Sequence, residues 1–357
     1  MNFDERYGQL DRILYRIGFR GGMAQHAMAD VEEMMYEEEL DGITADDPVF
    51  ITSLPRAGTT ILLKLLWETG DFATHTYQDM PFVLCPLLWN QFAQQFAADD
   101  TTRERAHGDG LEVSATSPEA FEDMVWKHFW PEHYRDDHIR PWQANEQNRE
   151  FNAFFETHMR KVIAIRRDRR PEAERYLSKN NLNIARLAAP PAPLDDGTFL
   201  VPFREPVQQA ASMCRQHERF LDIHEKDDFV REYMEAIGHH EFGKGLRPVN
   251  FDGWLAQAEV PSQLAFWMEY WVAAYRHILH HSDESTVLVS YARLTEKPEA
   301  SLARLAEVLD VSGGDLASQA EQLHPPRTHS VDRDTLSGTL LQKATELYEQ
   351  LDRKAAV

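Results

Sequence analysis

Residues 48–60 combine a short apolar run with a turn whose residues can bind phosphate. The apolar residues at 49–51 predict a buried strand, and Pro55 and Gly58 interrupt it before a helix begins at about 59–63. Free N–H groups at a helix N-terminus bind anions, because the donors point at the ligand and the helix dipole adds positive potential. The segment therefore predicts an anion-binding turn between a strand and a helix.

The turn differs from the ATP-binding P-loop, which requires Gly, four residues, Gly, Lys and then Ser or Thr. Aligned on Gly58, the chain has Ser53 at the first glycine and Thr59 at the lysine, while Thr60 keeps the hydroxyl. The cation is instead Arg56, whose guanidinium can hold two oxygens of one phosphate. This pattern indicates a nucleotide without a γ-phosphate. A simple connection between strand and helix is the alternative interpretation.

A second segment has the same order of strand, basic residue and helix. Residues 198–203 are apolar and end at Arg204, and Pro206 suits the first position of a helix. Ser212 follows Arg204 by eight positions. Together they offer a charged fork and a hydroxyl for a second phosphate. A surface ion pair between Arg204 and Glu205 is the alternative.

With both segments considered, the chain resembles the sulfotransferases that use 3′-phosphoadenosine 5′-phosphosulfate (PAPS). Residues 53–60 are similar to the family's loop for the 5′-phosphosulfate, and residues 203–212 to its 3′-phosphate site. Residues 288–294 resemble the later strand that ends in Tyr-Glu-Asp-Leu, although Ala292 and Arg293 depart from that pattern.

An arginine in the first motif, where cytosolic small-molecule sulfotransferases have lysine, makes the chain resemble tyrosylprotein sulfotransferases and bacterial sulfotransferase-domain proteins more closely. The resemblance implies PAPS as co-substrate, adenosine 3′,5′-bisphosphate as product and no metal. The residues it implies for nucleotide binding are Pro55, Arg56, Ala57, Gly58, Thr59, Thr60, Arg204, Ser212, Tyr291, Arg327 and Ser330. The last two belong to a late loop that we expect to fold over the nucleotide.

Sulfuryl transfer needs attacking and leaving oxygens in line, so positioned cations and N–H donors should supply most of the catalysis. We expect Arg56 and the amides of residues 57–60 to hold the 5′-phosphate. Lys179 resembles a lysine found before the 3′-phosphate segment in the tyrosylprotein and bacterial relatives. It is predicted to be a second cation on the transferring sulfonate, with a solvated surface lysine as the alternative.

The acceptor hydroxyl also needs a base. Asp79 lies 23 residues after Arg56, near the position at which tyrosylprotein sulfotransferases carry a catalytic glutamate, and is the first candidate. His75 is the second, because an imidazole titrates near neutral pH without tuning. His128 and His133 stay open as further candidates.

Composition restricts the partners. A formal charge of −22 argues against nucleic acid, whose binding requires Lys and Arg to neutralise phosphates. The two cysteines are too few for a disulfide framework. The first residues do not form a signal peptide. No apolar run approaches the length of about 20 residues that a membrane span needs. We therefore expect a cytoplasmic protein. The acceptor class (small molecule, carbohydrate, lipid or peptide) and a homodimeric state stay open.

Strands predicted at 48–54, 175–180, 198–203 and 286–291, with helices between them, indicate an α/β fold. We expect a P-loop-type, mostly parallel sheet that binds ligands at the carboxyl ends of its strands. A single sulfotransferase domain is predicted over 1–357, with a helical arm at 1–46, a nucleotide-binding core at 47–90 and 171–330, a helical insertion near the acceptor at 91–170, and a C-terminal helix at 331–357.

Three helical patterns are predicted in more detail. Residues 3–40 form two helices divided at Gly21 and Gly22, and the stripe of Leu10, Ile13, Leu14 and Ile17 is expected to face the core rather than a membrane surface. The aromatic residues of 261–281 are expected to be core, and the tail from 335 onward forms an amphipathic helix.

Two other functions stay open. One is a P-loop kinase that acts on a small molecule with ATP and magnesium, although the loop lysine is missing. The other is a non-catalytic sulfotransferase-like binding protein. Retention of Arg56, Arg204 and Ser212 together favours an enzyme.

Overall fold

The structure is a computed structural model that describes residues 9–96, 103–104, 112–113, 116–311 and 313–357. Its strands are β1 Val49–Ile51, β2 Phe72–Ala73, β3 Arg103–Glu104, β4 Glu112–Val113, β5 Arg175–Lys179, β6 Thr198–Phe203 and β7 Thr286–Ser290. Five of them form one parallel sheet in the order β2-β5-β1-β6-β7, and β3 pairs with β4 in an antiparallel hairpin. The predicted mostly parallel α/β sheet is confirmed.

Helices connect the strands and cover the sheet. In chain order they are α1 Gln9–Arg20, α2 Gly22–Met35, α3 Glu37–Leu40, α4 Thr59–Thr69, α5 Pro86–Phe96, α6 Asp123–Phe129, α7 Arg149–Arg167, α8 Pro206–Lys226, α9 Asp228–Ala236, α10 Leu264–His281, α11 Tyr291–Glu296, α12 Pro298–Leu309, α13 Gly313–Ala317 and α14 Gly338–Lys354.

Strand β1 occupies the middle of the sheet and is fully buried. Phe50 packs into the larger core on one face, whereas Val49 and Ile51 pack into a second core on the other face. Burial on both faces explains the continuous apolar run, which is typical of parallel strands covered by helices. The chain passes from the carboxyl end of β1 directly into the turn that precedes α4.

All four predicted strands are present in the structure, and β6 has the predicted bounds. Thr198–Phe203 matches the predicted bounds, and the other three predicted strands are one to four residues shorter than expected. The sequence did not indicate β2, because a two-residue edge strand has no periodicity to detect.

The orientation predicted for α1 is wrong in part. Ile17 is 60% exposed and Leu14 is 37% exposed, and the side chains of the other two stripe residues lie outside the described part of the chain. The contact face instead carries Tyr15 and Phe19, whose rings lie 5.7 Å from that of Tyr233.

Ion pairs explain this orientation of α1. The Arg12 guanidinium lies 3.0 Å from the Asp227 carboxylate, and Arg16 lies 2.9 Å from Glu232. Asp227 immediately precedes α9 and Glu232 lies within it, so the basic side of α1 faces the protein. In this orientation Leu14 and Ile17 are turned toward solvent.

The two later helical predictions are confirmed. The aromatic residues of α10 are buried, and α14 buries Ala344, Leu347 and Leu351. Beyond α14, the Ala356 amide donates to Leu288 O at 3.1 Å, and Val357 O accepts from the Ser290 amide at 2.8 Å, so the tail pairs with β7. Within the described ranges, none of the helices has the length and apolarity that crossing a bilayer requires.

Candidate active site

The turn after β1 is fastened to β6 and α8 by hydrogen bonds. The Ser53 hydroxyl donates to Pro202 O at 2.6 Å, and the Gln209 side-chain amide donates to Pro55 O at 3.1 Å. These bonds hold the turn at the carboxyl edge of the sheet, where the chain passes from strand to helix.

Two left-handed residues give the turn its shape. Arg56 has φ +68° and Gly58 has φ +109°. A Cβ at Gly58 would lie 2.5 Å from the Tyr291 ring, so only glycine fits between the ring and the turn. The helix α4 begins at Thr59, and among the described residues no side chain caps its N-terminus. Its first amides therefore remain available to an anion.

The two arginines predicted to bind phosphate meet in one cleft. The Arg56 Nε atom donates to the Ser212 hydroxyl at 3.1 Å, and the Arg204 guanidinium donates to the main-chain oxygen of Arg56 at 2.9 Å. The Arg204 guanidinium also lies 5.7 Å from the centre of the Tyr291 ring. The turn after β1, the end of β6 and helix α8 thus bring together Arg56, Arg204 and Ser212, and Tyr291 lies beside them.

The electrostatics of this cleft favour an anion. Burial lowers the pKa of Arg204 below its ordinary value, and the nearby positive charge of Arg56 lowers it further. An anion bound between the two guanidinium groups relieves their mutual repulsion and favours their charged forms. A phosphate group carries the required charge and acceptor oxygens.

The late loop at 324–330 lies over α8. The Gln208 side chain forms two hydrogen bonds with the main chain of His329. Its oxygen accepts from the His329 amide at 2.6 Å, and its nitrogen donates to the His329 carbonyl oxygen at 3.1 Å. The Arg215 guanidinium donates to Ser330 O at 3.2 Å, and the Tyr291 hydroxyl donates to His324 O at 3.4 Å. The loop therefore closes one side of the cleft.

His329 is a residue that sequence reasoning missed. Burial lowers its pKa, and the positive charges of Arg215, Arg204, Arg56 and Arg327 lower it further. A histidine among four arginines is a further donor for an anion once it is protonated. Its position in a proline-rich loop gave no signal, because only the fold brings that loop to the arginines.

Lys179 ends β5, where its Cα pairs with Ile51 of β1, and it is 6% exposed. The alternative interpretation as a solvated lysine is therefore wrong. The turn that follows is fixed by a buried network: the Asn180 amide donates to Asp123 at 3.1 Å, and the Arg186 guanidinium donates to the same carboxylate at 2.9 Å.

Asp79 and His75 lie in a different, closed cluster. The Asp79 carboxylate contacts the Arg166 guanidinium directly and accepts from the Thr76 amide at 2.9 Å. His75 lies between Asp79, at 3.0 Å, and His158, also at 3.0 Å. Burial alone would raise the pKa of Asp79, but Arg166 and His75 hold it well below its ordinary value. Such a carboxylate is a weak base.

The two further histidines lie among aromatic side chains. His128 is 3.0 Å from a ring nitrogen of His26, and His133 stacks on Trp142 with centroids 3.8 Å apart. Burial lowers the pKa of both histidines. These contacts indicate structural roles. No group of three or more His, Cys, Asp or Glu side chains that could hold a metal occurs in the described part of the chain.

Comparison with known families identifies the class of protein. The model described as the sulfotransferase family matches residues 48–243, which is more than half of the chain and includes the turn, Lys179, Arg204 and Ser212. The chain belongs to the sulfotransferase family. No curated protein sequence matches it.

Solved structures resemble the chain at low sequence identity. Sulfotransferase STF1 from Mycobacterium tuberculosis H37Rv is 17% identical, with 93% of this chain and 84% of that chain covered and a TM-score of 0.45. Sulfotransferase STF9 from Mycobacterium avium is 14% identical, with 91% and 81% covered and a TM-score of 0.47. Retinol dehydratase, in complex with androsterone and the inactive cofactor PAP, is 14% identical, with 90% and 86% covered and a TM-score of 0.33.

Proposed function

We propose that the protein transfers the sulfuryl group of PAPS to a hydroxyl or amine acceptor by in-line displacement. The observation that carries this proposal is the convergence of Arg56, Arg204 and Ser212 in one cleft at the carboxyl edge of the sheet. Membership of the sulfotransferase family supports it. A nucleotide with phosphates at two ends suits a cleft with two guanidinium groups.

The residues present fit such a nucleotide. Arg56 and the amides of residues 57–60 would hold the 5′-phosphate and stabilise charge on the leaving oxygen. Arg204 and Ser212 would hold the 3′-phosphate, and Tyr291 would limit the depth of the cleft beside Gly58. Residues 324–330, with Arg327 and Ser330, would cover the bound nucleotide.

Lys179 would act on the transferring sulfonate, because β5 lies beside β1 and places the lysine at the same edge as the turn. The residue that accepts the proton of the acceptor hydroxyl is also part of this proposal. Asp79 satisfies the spacing of the family's glutamate, but its contacts with Arg166 and His75 favour a role in holding the segment after β2.

The acceptor class, the cellular location and the oligomeric state are extensions of the same proposal. A small molecule, carbohydrate, lipid or peptide hydroxyl is compatible with a cation-lined edge. The charge of −22 and the two free cysteines fit a cytoplasmic enzyme, and a homodimer is compatible with the exposed apolar residues of α1 and α2.

Calorimetric titration with adenosine 3′,5′-bisphosphate tests the proposal. Wild-type protein should bind it, and Arg204→Ala should weaken binding by about tenfold to a hundredfold, since a hydrogen bond to a charged group contributes about 1.5–3 kcal/mol. Arg304→Ala, which removes an exposed guanidinium that pairs with Glu307, is the matched control. Equal affinity of a folded Arg204→Ala variant would remove Arg204 from the site.

The kinase alternative predicts the opposite selectivity. Tight binding of ATP with Mg²⁺, without binding of the bisphosphate, would favour it. A non-catalytic binding protein would bind the bisphosphate and release no labelled sulfate from PAPS with any acceptor. The three functions therefore give three different results in the same two assays.

A further inference from the structure

A buried hydrogen-bond network lies behind the phosphate-binding turn. Its centre is Gln209, the fourth residue of α8, whose side chain is fully buried. The Gln209 Nε2 atom donates to Leu54 O at 3.4 Å and to Pro55 O at 3.1 Å. The helix that carries Ser212 is therefore joined directly to the main chain of the turn.

Helix α10 fixes the orientation of the Gln209 side chain. The Gln209 Oε1 atom accepts from the Trp271 indole nitrogen at 3.0 Å and lies 3.2 Å from the Tyr275 hydroxyl. An indole N–H can only donate, so this contact determines that the oxygen of the Gln209 side chain faces α10. The NH₂ group consequently faces the turn, where it donates to the two carbonyl oxygens.

Tyr275 and Ser53 extend the network to β6. The Tyr275 hydroxyl lies 2.8 Å from the Ser53 hydroxyl and 3.2 Å from Pro202 O, the carbonyl oxygen to which Ser53 also donates. The side chains of Ser53, Gln209, Trp271 and Tyr275 are all fully buried, and each of their polar atoms has a hydrogen-bond partner. A buried polar network that is fully satisfied is rigid, so it holds the turn in one conformation.

The network determines the direction of one peptide group of the turn. The C=O and N–H of a trans peptide lie in one plane and point in opposite directions. Because the Pro55 carbonyl points to Gln209, the Arg56 N–H of the same peptide points away from the buried network. Arg56 is also left-handed, with φ +68°, and turns of this kind gather successive N–H groups on one concave side that binds anions.

We infer that Gln209 is a positioning residue, which turns the peptide between Pro55 and Arg56 so that the Arg56 N–H faces the anion at the 5′ end of the nucleotide. This inference rests on the proposed function. Gln209 is buried behind the turn and acts through this peptide rather than by contact with the nucleotide. Without the NH₂ group, the Pro55 carbonyl loses its partner, and the peptide can rotate until its oxygen faces the phosphate. The site proposed for the 3′-phosphate uses the side chains of Arg204 and Ser212 instead.

The first test compares the two ends of the nucleotide by calorimetric titration. The ratio of the affinities for adenosine 3′,5′-bisphosphate and adenosine 3′-monophosphate measures the contribution of the 5′-phosphate. Gln209→Met keeps the length of the side chain and removes the NH₂ group. The ratio should fall about tenfold or more, because a hydrogen bond to a charged group is lost. A purely structural role would weaken the binding of both ligands equally and leave the ratio unchanged.

Gln25→Met is the matched control. Gln25 is also buried, and its Nε2 atom donates to the main-chain oxygens of Gly18 and Pro81 at 2.8 and 3.1 Å, but it lies in α2. This variant loses the same kind of contacts and should keep the wild-type ratio. Tyr275→Phe removes a single hydroxyl of the network and serves if Gln209→Met does not fold. It should lower the ratio by about twofold to tenfold.

The second test observes the Arg56 amide directly by NMR. In protein labelled with ¹⁵N-arginine, comparison with Arg56→Lys identifies the signal of this amide. Saturating bisphosphate should move the amide proton downfield in the wild type, because a hydrogen bond to phosphate deshields it. The shift should be much smaller in Gln209→Met and unchanged in Gln25→Met. This measurement needs only the bisphosphate, so it decides the question also if the 3′-monophosphate binds too weakly to titrate.

The outcomes separate the two proposals. If wild-type protein fails to bind the bisphosphate, the proposed function fails. If it binds the bisphosphate but folded Gln209→Met keeps both the wild-type ratio and the wild-type amide shift, only the assignment of Gln209 fails. The same holds if the Arg56 amide of the wild type does not move downfield. The unfolding midpoint of each variant shows whether it is folded.

Discussion

The cluster around Asp79 and the cleft around Arg204 both place a largely buried arginine beside the same sheet. In the cluster, the Arg166 guanidinium contacts a carboxylate, so opposite charges compensate within the protein. In the cleft, Arg204 donates to a carbonyl oxygen and faces a second arginine, Arg56. The difference teaches that the identity of a charged residue does not reveal its surroundings: the charges of the cluster compensate each other, whereas the cleft brings two positive charges together.

The largest expected effect is on the stability of the compensated cluster. Asp79→Asn leaves the buried Arg166 guanidinium without its counter-charge, which should lower the free energy of unfolding by about 3–5 kcal/mol. Urea unfolding at neutral pH measures this loss, with Asp137→Asn at an exposed carboxylate as the control. If Asp79→Asn keeps wild-type stability but loses sulfuryl transfer, Asp79 is the base after all, and the distinction between the two regions fails.

The pH dependence of this loss has a defined sign. The pKa of Asp79 is lower in the folded state than in the unfolded chain, where it is about 3.9. Its contribution to stability is therefore complete above about pH 4 and is lost as the pH falls through the folded-state pKa. The difference between wild type and Asp79→Asn should be constant from neutral pH to about pH 5 and should shrink below about pH 4. A difference that changes near pH 7 would contradict this explanation.

An intermediate effect is expected from Gly58→Ala in the cleft. The new Cβ would lie 2.5 Å from the Tyr291 ring, and a left-handed non-glycine residue costs about 1–2 kcal/mol. The turn should shift, and the affinity for adenosine 3′,5′-bisphosphate should fall at least about tenfold. Gly42→Ala is a close control, because Gly42 has φ +76° with open space around it. Equal bisphosphate affinity in both variants would show that the Tyr291 contact does not shape the cleft.

The smallest expected effect concerns His329. Burial and four arginines lower its pKa, so it is neutral in the free protein near pH 7, whereas a bound phosphate favours the protonated form. Binding therefore takes up a proton, and affinity should rise as the pH falls from 7 toward 6, by at most about tenfold per pH unit. Calorimetry in buffers of different ionisation enthalpy measures this uptake.

The control for that measurement is His329→Gln. The phosphate groups of the nucleotide also titrate in this range, and they do so equally with both proteins. The difference in proton uptake between wild type and variant isolates the histidine. Identical uptake would place His329 outside the anion-binding cleft.

The sequence was sufficient for four of the five strands of the parallel sheet and for predicting that Arg56, Arg204 and Ser212 meet. Continuous apolar runs and the residues that follow them mark strand ends, and the ends of neighbouring parallel strands share one edge. Arg56, Arg204 and Ser212 could be assigned to one site for this reason.

The sequence was not sufficient for the base, because burial and partners depend on contacts between distant segments. Asp79 meets Arg166 across 87 positions, and His75 meets His158 across 83 positions. The orientation of α1 was missed for the same reason, since Arg12 and Arg16 meet Asp227 and Glu232 across 215 and 216 positions. The residues next to His329 in the sequence form no pattern that predicts its position beside the arginines.

The pairing of residues 356–357 with β7 has a consequence for aggregation. Strand β7 is the last strand of the sheet order, and an uncovered edge offers unpaired amide and carbonyl groups to another chain. The tail occupies those groups through its bonds to Leu288 and Ser290. Deleting the last few residues would thus leave these groups of β7, next to Tyr291 in the cleft, open to strand addition by another chain, and solubility would fall.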